Sequence, residues 1–246
     1  MPLPHRLALA AMTAPSRSLP ANRRSFDFRS APILPVAEHL PPVPDAALLP
    51  DALRARFAHP PQWTPDIEIE RPGVLGDREA VRAAVLVPLV RRSAGLTVLL
   101  TERTAHLSSH SGQIAFPGGR TDPTDADATA TALREAWEEV GLPPSQVEVL
   151  GRMPTYTTGS GYVVTPVVGL VPPDLPLQPN PGEVAAVFEV PLAWLMQPAN
   201  HRHHLWEDQG VHRRWVSMPY PDGPDERYIW GATAAMLRNF YRFLAA

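Results

Sequence analysis

Two rhythms of apolar and polar positions succeed one another along the chain from about residue 78 onward. Ala83 to Val90 and Leu96 to Thr101 are strand-like apolar runs separated by the polar segment Arg91 to Gly95, which predicts a hairpin. Gln113 to Phe116 predicts a short strand leading into a Gly118-Gly119 turn. Residues 127 to 140 change to the helical period. Asp, Thr and Pro crowd the start of that segment, Gly141 stands where a left-handed cap is wanted, and Pro143 lies just beyond. Val147 to Met153, Tyr162 to Val171, Val184 to Val190, His212 to Met218 and Arg227 to Trp230 predict further strands. A closing helix is predicted over Ala232 to Leu244, with Ala235, Leu237, Phe240 and Leu244 on one broad apolar side. Strands interleaved with helices predict an α/β fold.

The helix at 127 to 140 carries the chemistry. Glu135, Glu138 and Glu139 fall at i, i+3 and i+4, so their carboxylates share one face. Leu133, Ala136, Trp137 and Val140 cluster opposite, and are expected to pack on the sheet. Like charges at this spacing repel unless something positive neutralises them. Arg134, four residues before Glu138, can hold that carboxylate, but one arginine leaves the face net negative. Oxygen ligands of this kind suit a hard divalent cation, Mg²⁺ or Mn²⁺. A solvated acidic face is the plain alternative for such a segment taken alone. Upstream, the glycine pair offers backbone that can approach a phosphate or a metal.

The strand, the glycine pair, the loop and the acidic helix together resemble the Nudix box of the Nudix hydrolase family. The family pattern is Gly, five residues, Glu, seven residues, then Arg-Glu-apolar-x-Glu-Glu-x-Gly-apolar, and its second half is matched from Arg134 to Leu142. The first half departs from it: Gly119 lies one residue too far from Arg134, and Asp125 stands nearest to the first glutamate. Leu99-Leu100-Thr101-Glu102-Arg103, His110-Ser111-Gly112-Gln113 and Phe116-Pro117-Gly118-Gly119 are similar to the signature of the family's coenzyme A diphosphatase branch. That branch has the longer loop, with Asp at the positions of Asp122 and Asp125; where it has an arginine after Leu107, this chain has Ser108. Asn180-Pro181-Gly182-Glu183-Val184, Val190-Pro191-Leu192 and Ile229-Trp230-Gly231-Ala232-Thr233-Ala234 extend the likeness, which runs from about Val81 to Leu244.

The resemblance implies an α/β/α sandwich around a mixed sheet, and metal-dependent cleavage of a diphosphate. It implies that Glu135 and Glu139 are metal ligands, that Glu138 shares a second metal or acts through water, and that the Gly118 carbonyl adds a ligand while Arg134 orients the glutamates. Glu183 is the candidate for a further ligand or for the base, against an ordinary loop acid; Arg103, His110 and Gly119 are candidates for substrate binding. The implied substrate is coenzyme A or its acyl forms, cut to 4′-phosphopantetheine and adenosine 3′,5′-bisphosphate. The same chemistry on ADP-ribose, a dinucleotide or a nucleoside triphosphate is the nearest rival, followed by a silent nucleotide sensor; the intact glutamates argue against silence.

Composition narrows these choices. A formal charge of −3 argues against nucleic acid as the main partner. All 22 basic residues are arginine, which reads mainly as the coding bias of a GC-rich genome, although the arginine fork also suits phosphate. Zero cysteine removes disulfides, thiol catalysis and Cys-ligated zinc, including the zinc-ribbon NADH-cleaving branch of the family. No apolar run approaches membrane-spanning length, so a cytoplasmic enzyme without a membrane partner is expected, and a homodimer is compatible with it. His201, His203 and His204 read as a solvated loop in preference to a metal site, and Tyr156 and Tyr162 read as core or rim in preference to an adenine platform. Residues 1–30 are expected to be a disordered extension, with Met12 an alternative start. Residues 31–75 are expected to form a proline-rich, partly ordered arm with a short helix around Asp51 to Phe57, and residues 76–246 to form the hydrolase domain.

Overall fold

Along Val81–Arg92 (β1), Ala83, Val87 and Leu89 enter one apolar cluster, while Ala84, Leu86 and Val90 enter another. A strand buried on both faces must lie inside a sheet covered on both sides. The computed structural model describes residues 28–34, 40–69, 75–76, 79–104, 112–208 and 211–246. The chain divides into two units, Met1–Ala31 and Pro32–Ala246. The first is described only over residues 28–31, where Phe28–Ser30 make one 3₁₀ turn, so most of the expected N-terminal extension lies outside the described residues.

In the second unit, helix α1 (Pro50–Ala58) precedes β1, β2 (Gly95–Arg103), β3 (Ile114–Ala115) and β4 (Gly118–Arg120). Helix α2 (Ala128–Val140) follows, then β5 (Glu148–Arg152), β6 (Tyr156–Thr157), β7 (Tyr162–Val171), β8 (Val184–Pro191) and the short α3 (Leu192–Leu195). The chain closes with β9 (Arg202–Asp208), β10 (Val211–Asp222), β11 (Asp225–Trp230) and α4 (Gly231–Ala245). The main sheet runs β3-β2-β1-β7-β5, with β4 on β1, β6 on β7 and β8 on β2. Its β1–β7 pair is parallel, from Val81↔Tyr162 to Val90↔Val171, and its other pairs are antiparallel, so the sheet is mixed. A second sheet has the order β11-β10-β9.

Helix α2 covers one face, setting Ala132, Ala136 and Val140 among Ala84, Leu86, Leu99, Val167 and Val171. The other face is covered by Leu237, Phe240 and Leu244 of α4, by Leu192 and Leu195 of α3, and by Leu53 of α1. The fold is therefore α/β, a mixed sheet with helices on both sides. The Asp127 carboxylate caps α2 by accepting from the Ala130 N–H at 2.9 Å, and Gly141 ends it with φ of 69°.

Two expectations about these elements need correction. Trp137 does not pack on the sheet; it is 52% exposed, because the buried stripe runs through Ala132, Ala136, Glu139 and Val140, turned toward the acidic side of the helix. His201, His203 and His204 are not a solvated loop: they enter and begin β9, whose partner is β10, and His201 and His204 are buried. Arg238 Nη1 lies 3.2 Å from His201 Nδ1, and an arginine can only donate. His201 Nδ1 is therefore the acceptor, and Nε2–H donates to the Leu195 carbonyl at 2.6 Å. His204 Nε2 pairs with Ser217 Oγ at 2.7 Å, and its ring stacks on Trp215. The segment from Leu40 to Ile69, expected as a partly ordered arm with a short helix around Asp51 to Phe57, carries α1 at that place. Val43, Leu48 and Leu53 belong to the core, and Asp66 takes Arg238 and Arg242 of α4 at 2.7 and 3.0 Å.

Candidate active site

The three glutamates of α2 share a face but not an environment. Glu139 is 3% exposed, since it follows Ala132 and Ala136 along the buried stripe, whereas the Glu138 side chain is 53% exposed and Glu135 lies between. Glu139 Oε2 accepts from the Gly118 N–H at 3.1 Å. In an extended strand the N–H and C=O of one residue point to the same edge, so the Gly118 carbonyl faces the same side.

The glycine pair is not an open turn. Gly118 and Gly119 are β4, paired with Val85 and Ala84 of β1, and neither has positive φ. Space, not backbone freedom, demands glycine here. A Cβ on Gly118 would stand 2.5 Å from the Ala84 carbonyl and 2.6 Å from Val85 Cα; one on Gly119 would stand 2.5 Å from the Glu135 carboxylate.

Arg134 fixes the N-terminal part of the constellation. Its Nη1 donates to Glu135 at 2.9 Å and to Glu138 at 3.1 Å, while Nε and Nη2 grip Asp125 at 3.0 and 2.9 Å. Asp125 also accepts from Thr131 Oγ1 and from the Asp122 N–H, each at 2.9 Å. The Arg134 guanidinium holds the Asp125 carboxyl well below the usual carboxylate range. The aspartate of the longer loop therefore anchors the arginine that orients two glutamates.

From the sheet side, Arg103 at the end of β2 reaches Glu139 through Nη1 at 3.5 Å. Its strand pairs with β8 through a bulge between Glu102 and Arg103. Arg103 Nε is buried and makes no hydrogen bond among the described residues. Glu183, in the turn before β8, bears electrostatically on both Glu139 and Glu135. Burial pushes Glu139 up to about 7, opposed by the Gly118 N–H and Arg103 and reinforced by Glu183 and Glu135. Burial raises Glu135 as well, against Arg134.

Among the sequence candidates, then, Arg103, Gly118, Gly119, Arg134, Glu135, Glu138, Glu139 and Glu183 are brought to one end of α2, and His110 lies outside the described residues. Tyr156 is buried in the core, and Tyr162 packs partly against it. Asn180 and Thr104, which fasten the Glu183 turn, were missed. The signal for Asn180 was the Asn-Pro-Gly turn itself, since an asparagine side chain at that place bonds the backbone two residues on.

The donors that converge are oxygens only, and their mutual repulsion is offset by two arginines; a hard divalent cation fits such a set. Among the described residues no group of three or more His, Asp or Glu side chains stands in a metal-holding arrangement: Arg134 draws Glu135 and Glu138 to itself, and Gly118 and Arg103 draw Glu139. No helix of the described residues is long and apolar enough to cross a membrane.

The model of the NUDIX domain family matches residues 80–213. A Nudix hydrolase of Escherichia coli K12, NudL, named as uncharacterized, is 49% identical over 160 residues, which span 64% of this chain and 80% of that protein. The NudL of Shigella boydii serotype 18 is 48% identical over the same shares. Among solved structures, the Nudix hydrolase RenU of M. smegmatis aligns with a TM-score of 0.40 and 26% identity over 46% of this chain and 71% of that one. The family match covers more than half of the chain and includes β1 to β8 and the acidic helix, so this protein belongs to the Nudix hydrolases, which act on the diphosphate bonds of small nucleotide derivatives.

Proposed function

We propose that the protein hydrolyses the diphosphate linkage of coenzyme A or an acyl-coenzyme A with Mg²⁺ or Mn²⁺, in the cytoplasm, releasing adenosine 3′,5′-bisphosphate and 4′-phosphopantetheine or its acyl form. The observation that carries this is Arg103. The residue that closes the Leu99 to Arg103 signature sits beside Glu139 with a buried guanidinium nitrogen still free to donate among the described residues. A phosphate oxygen is the acceptor that such a group lacks.

Glu135, Glu139 and the Gly118 carbonyl would hold the cation, with Glu138 and Glu183 available for a second. When bound, the cation supplies charge neutralisation of the diphosphate oxygens and polarisation of the phosphorus under attack. The chain's own residues do the rest. Arg134 keeps Glu135 and Glu138 aimed, Asp125 keeps Arg134 aimed, and Arg103 binds and orients the diphosphate. Where it does not ligate a second cation, Glu183 is the candidate to take the proton of the attacking water, because it comes from the turn before β8 and, among the described residues, no arginine holds it as Arg134 holds Asp125.

The test is mass spectrometry of the products formed from coenzyme A, dephospho-coenzyme A, ADP-ribose and NADH, each with Mg²⁺ or Mn²⁺, with Glu139→Gln as control. Adenosine 3′,5′-bisphosphate formed by the wild type and not by the control supports the proposal. Turnover of another diphosphate alone retains the Nudix chemistry and removes coenzyme A as the substrate.

A further inference from the structure

The turn Asn180-Pro181-Gly182-Glu183 enters β8, and Asn180 uses almost every polar atom that it has. Its N–H donates to the Glu139 carbonyl at 2.9 Å, and its carbonyl accepts from the N–H groups of Glu183 and Val184 at 3.0 and 2.9 Å. The side-chain Oδ1 faces the Gly182 N–H at 3.0 Å and can only accept there, which leaves Nδ2 to donate to Glu183 Oε1 at 3.3 Å.

The last carbonyls of a helix have no donors within it. Here Gln178 and Asn180 supply donors for those of Val140 and Glu139. From the other side Thr104, next to Arg103, donates its N–H to the Glu183 carbonyl at 3.0 Å and its Oγ1 to the Gly182 carbonyl at 3.3 Å. The turn is thus fastened to the two elements that carry Glu139 and Arg103. These bonds fix the backbone from which Glu183 starts; the Asn180 amide also meets the carboxylate itself.

We propose that Asn180 is a positioning residue, holding the Glu183 carboxylate in register with Glu139 and Glu135 through one hydrogen bond with the Gly182 N–H and one to the carboxylate itself. It rests on the assignment of Glu183 to the reaction made above. The role needs an acceptor toward Gly182 and a donor toward Glu183 on one short side chain. Asparagine has both, whereas aspartate and serine keep the acceptor and lose that donor geometry.

The experiment compares wild type, Asn180→Ser, Asn180→Asp, Glu183→Gln and the double variant Asn180→Ser/Glu183→Gln. Three readouts are taken: binding of Mn²⁺ alone, followed by electron paramagnetic resonance; kcat and KM on whichever diphosphate of the panel above is turned over; and Tm in EDTA. Asn180→Ser and Asn180→Asp are expected to lower kcat by about tenfold, as outer partners of metal ligands do, with KM within about twofold and Tm within about 2 °C, roughly the effect of one lost surface hydrogen bond. In Mn²⁺ binding Asn180→Ser shifts in the same direction as Glu183→Gln and by no more. The double variant has the kcat of Glu183→Gln alone, because the amide has no carboxylate left to place. Losses that multiply in the double variant, or wild-type kcat in both Asn180 variants while Glu183→Gln is impaired, overturn the positioning role. Full activity and Mn²⁺ binding in Glu183→Gln instead remove Glu183 from the reaction, and the positioning role falls with it.

Discussion

Replacing each of the two adjacent glycines of β4 by alanine separates architecture from chemistry. Carbon atoms in contact settle at about 3.5–4.0 Å. A Cβ on Gly118 would lie 2.5 Å from the Ala84 carbonyl oxygen and 2.6 Å from Val85 Cα, so β4 must lift from β1 by roughly 1 Å. Both contacts are backbone of a central strand and cannot swing aside. Overpacking of this kind costs about 2–3 kcal/mol, which for a chain of this size is a fall of roughly 5–10 °C in Tm. A Cβ on Gly119 meets only the end of the Glu135 side chain, also at 2.5 Å, which can rotate away. Gly119→Ala therefore gives up the Arg134–Glu135 bond, about 1 kcal/mol, and lowers kcat by about 100-fold, as misplacing a catalytic group by about 1 Å does. Calorimetry in EDTA and turnover with Mg²⁺ read the two effects separately. Equal losses of Tm in the two variants, or wild-type kcat in Gly119→Ala, would refute the reasoning.

Asp125→Ala frees Arg134 and is expected to reduce activity 10–100-fold, the usual effect of removing an outer partner, with a rise in the Mn²⁺ concentration needed for half-maximal rate as the check. His201 is held neutral, pushed down to about 4 by burial. Its folded value lies below its unfolded value of about 6.5, so its contribution to stability is complete above that pH and is lost as pH falls toward 4. The loss is about 3 kcal/mol, and the difference in Tm between wild type and His201→Phe, measured across that window, should shrink as the pH drops. Leu53→Ala, in the segment ahead of the family match, should cost 2–5 kcal/mol, by urea denaturation, because Leu53 is wholly buried in the main core; a loss under about 0.5 kcal/mol would mean that α1 is dispensable. Glu139→Gln should abolish turnover yet raise Tm in EDTA at pH 8, since the folded value of about 7 lies above the unfolded one and the native state loses stability as pH rises through it.

The elements whose side chains obey one period were legible in the sequence. Tyr162–Val171 and the β1–β2 hairpin are apolar on both faces, and α2 and α4 carry their caps or stripes in plain view. What stayed hidden depends on partners distant in the chain. Polar His201 and His204 look solvated until Leu195, Arg238 and Ser217 are seen to satisfy them. Trp137 fits an apolar helix face drawn at ideal spacing, but Glu139 takes the buried position because Gly118 and Arg103 meet it there. The glutamates were legible because three acids at helical spacing break the ordinary charge pattern. The reason for the glycines was not, because a steric demand set by Ala84, Val85 and Glu135 leaves no trace in local composition.

A carboxylate buried as deeply as Glu139 works against the fold that holds it, and the surroundings show how that opposition is contained. Its value of about 7 means that near neutral pH the chain carries part of the cost of desolvating a charge, about 3 kcal/mol when fully ionised. That is a sizeable share of the 5–15 kcal/mol typical of a domain. Within the site the Gly118 N–H and Arg103 offset only part of that cost, while Glu135 and Glu183 add to it. The remainder is sustained by structure that resists relaxation: a glycine strand locked on β1, an arginine clamped by Asp125, and a turn tied to α2 and to Thr104 just beyond β2. Loosening any one of them would let the carboxylates spread toward water, which relieves that electrostatic cost and dissolves the arrangement that the proposed cation needs. On the proposed function, rigidity around the three glutamates serves the reaction more than it serves stability. This explains why the residues that most constrain the site, Gly118, Asp125 and Asn180, contribute no carboxylate ligand to it.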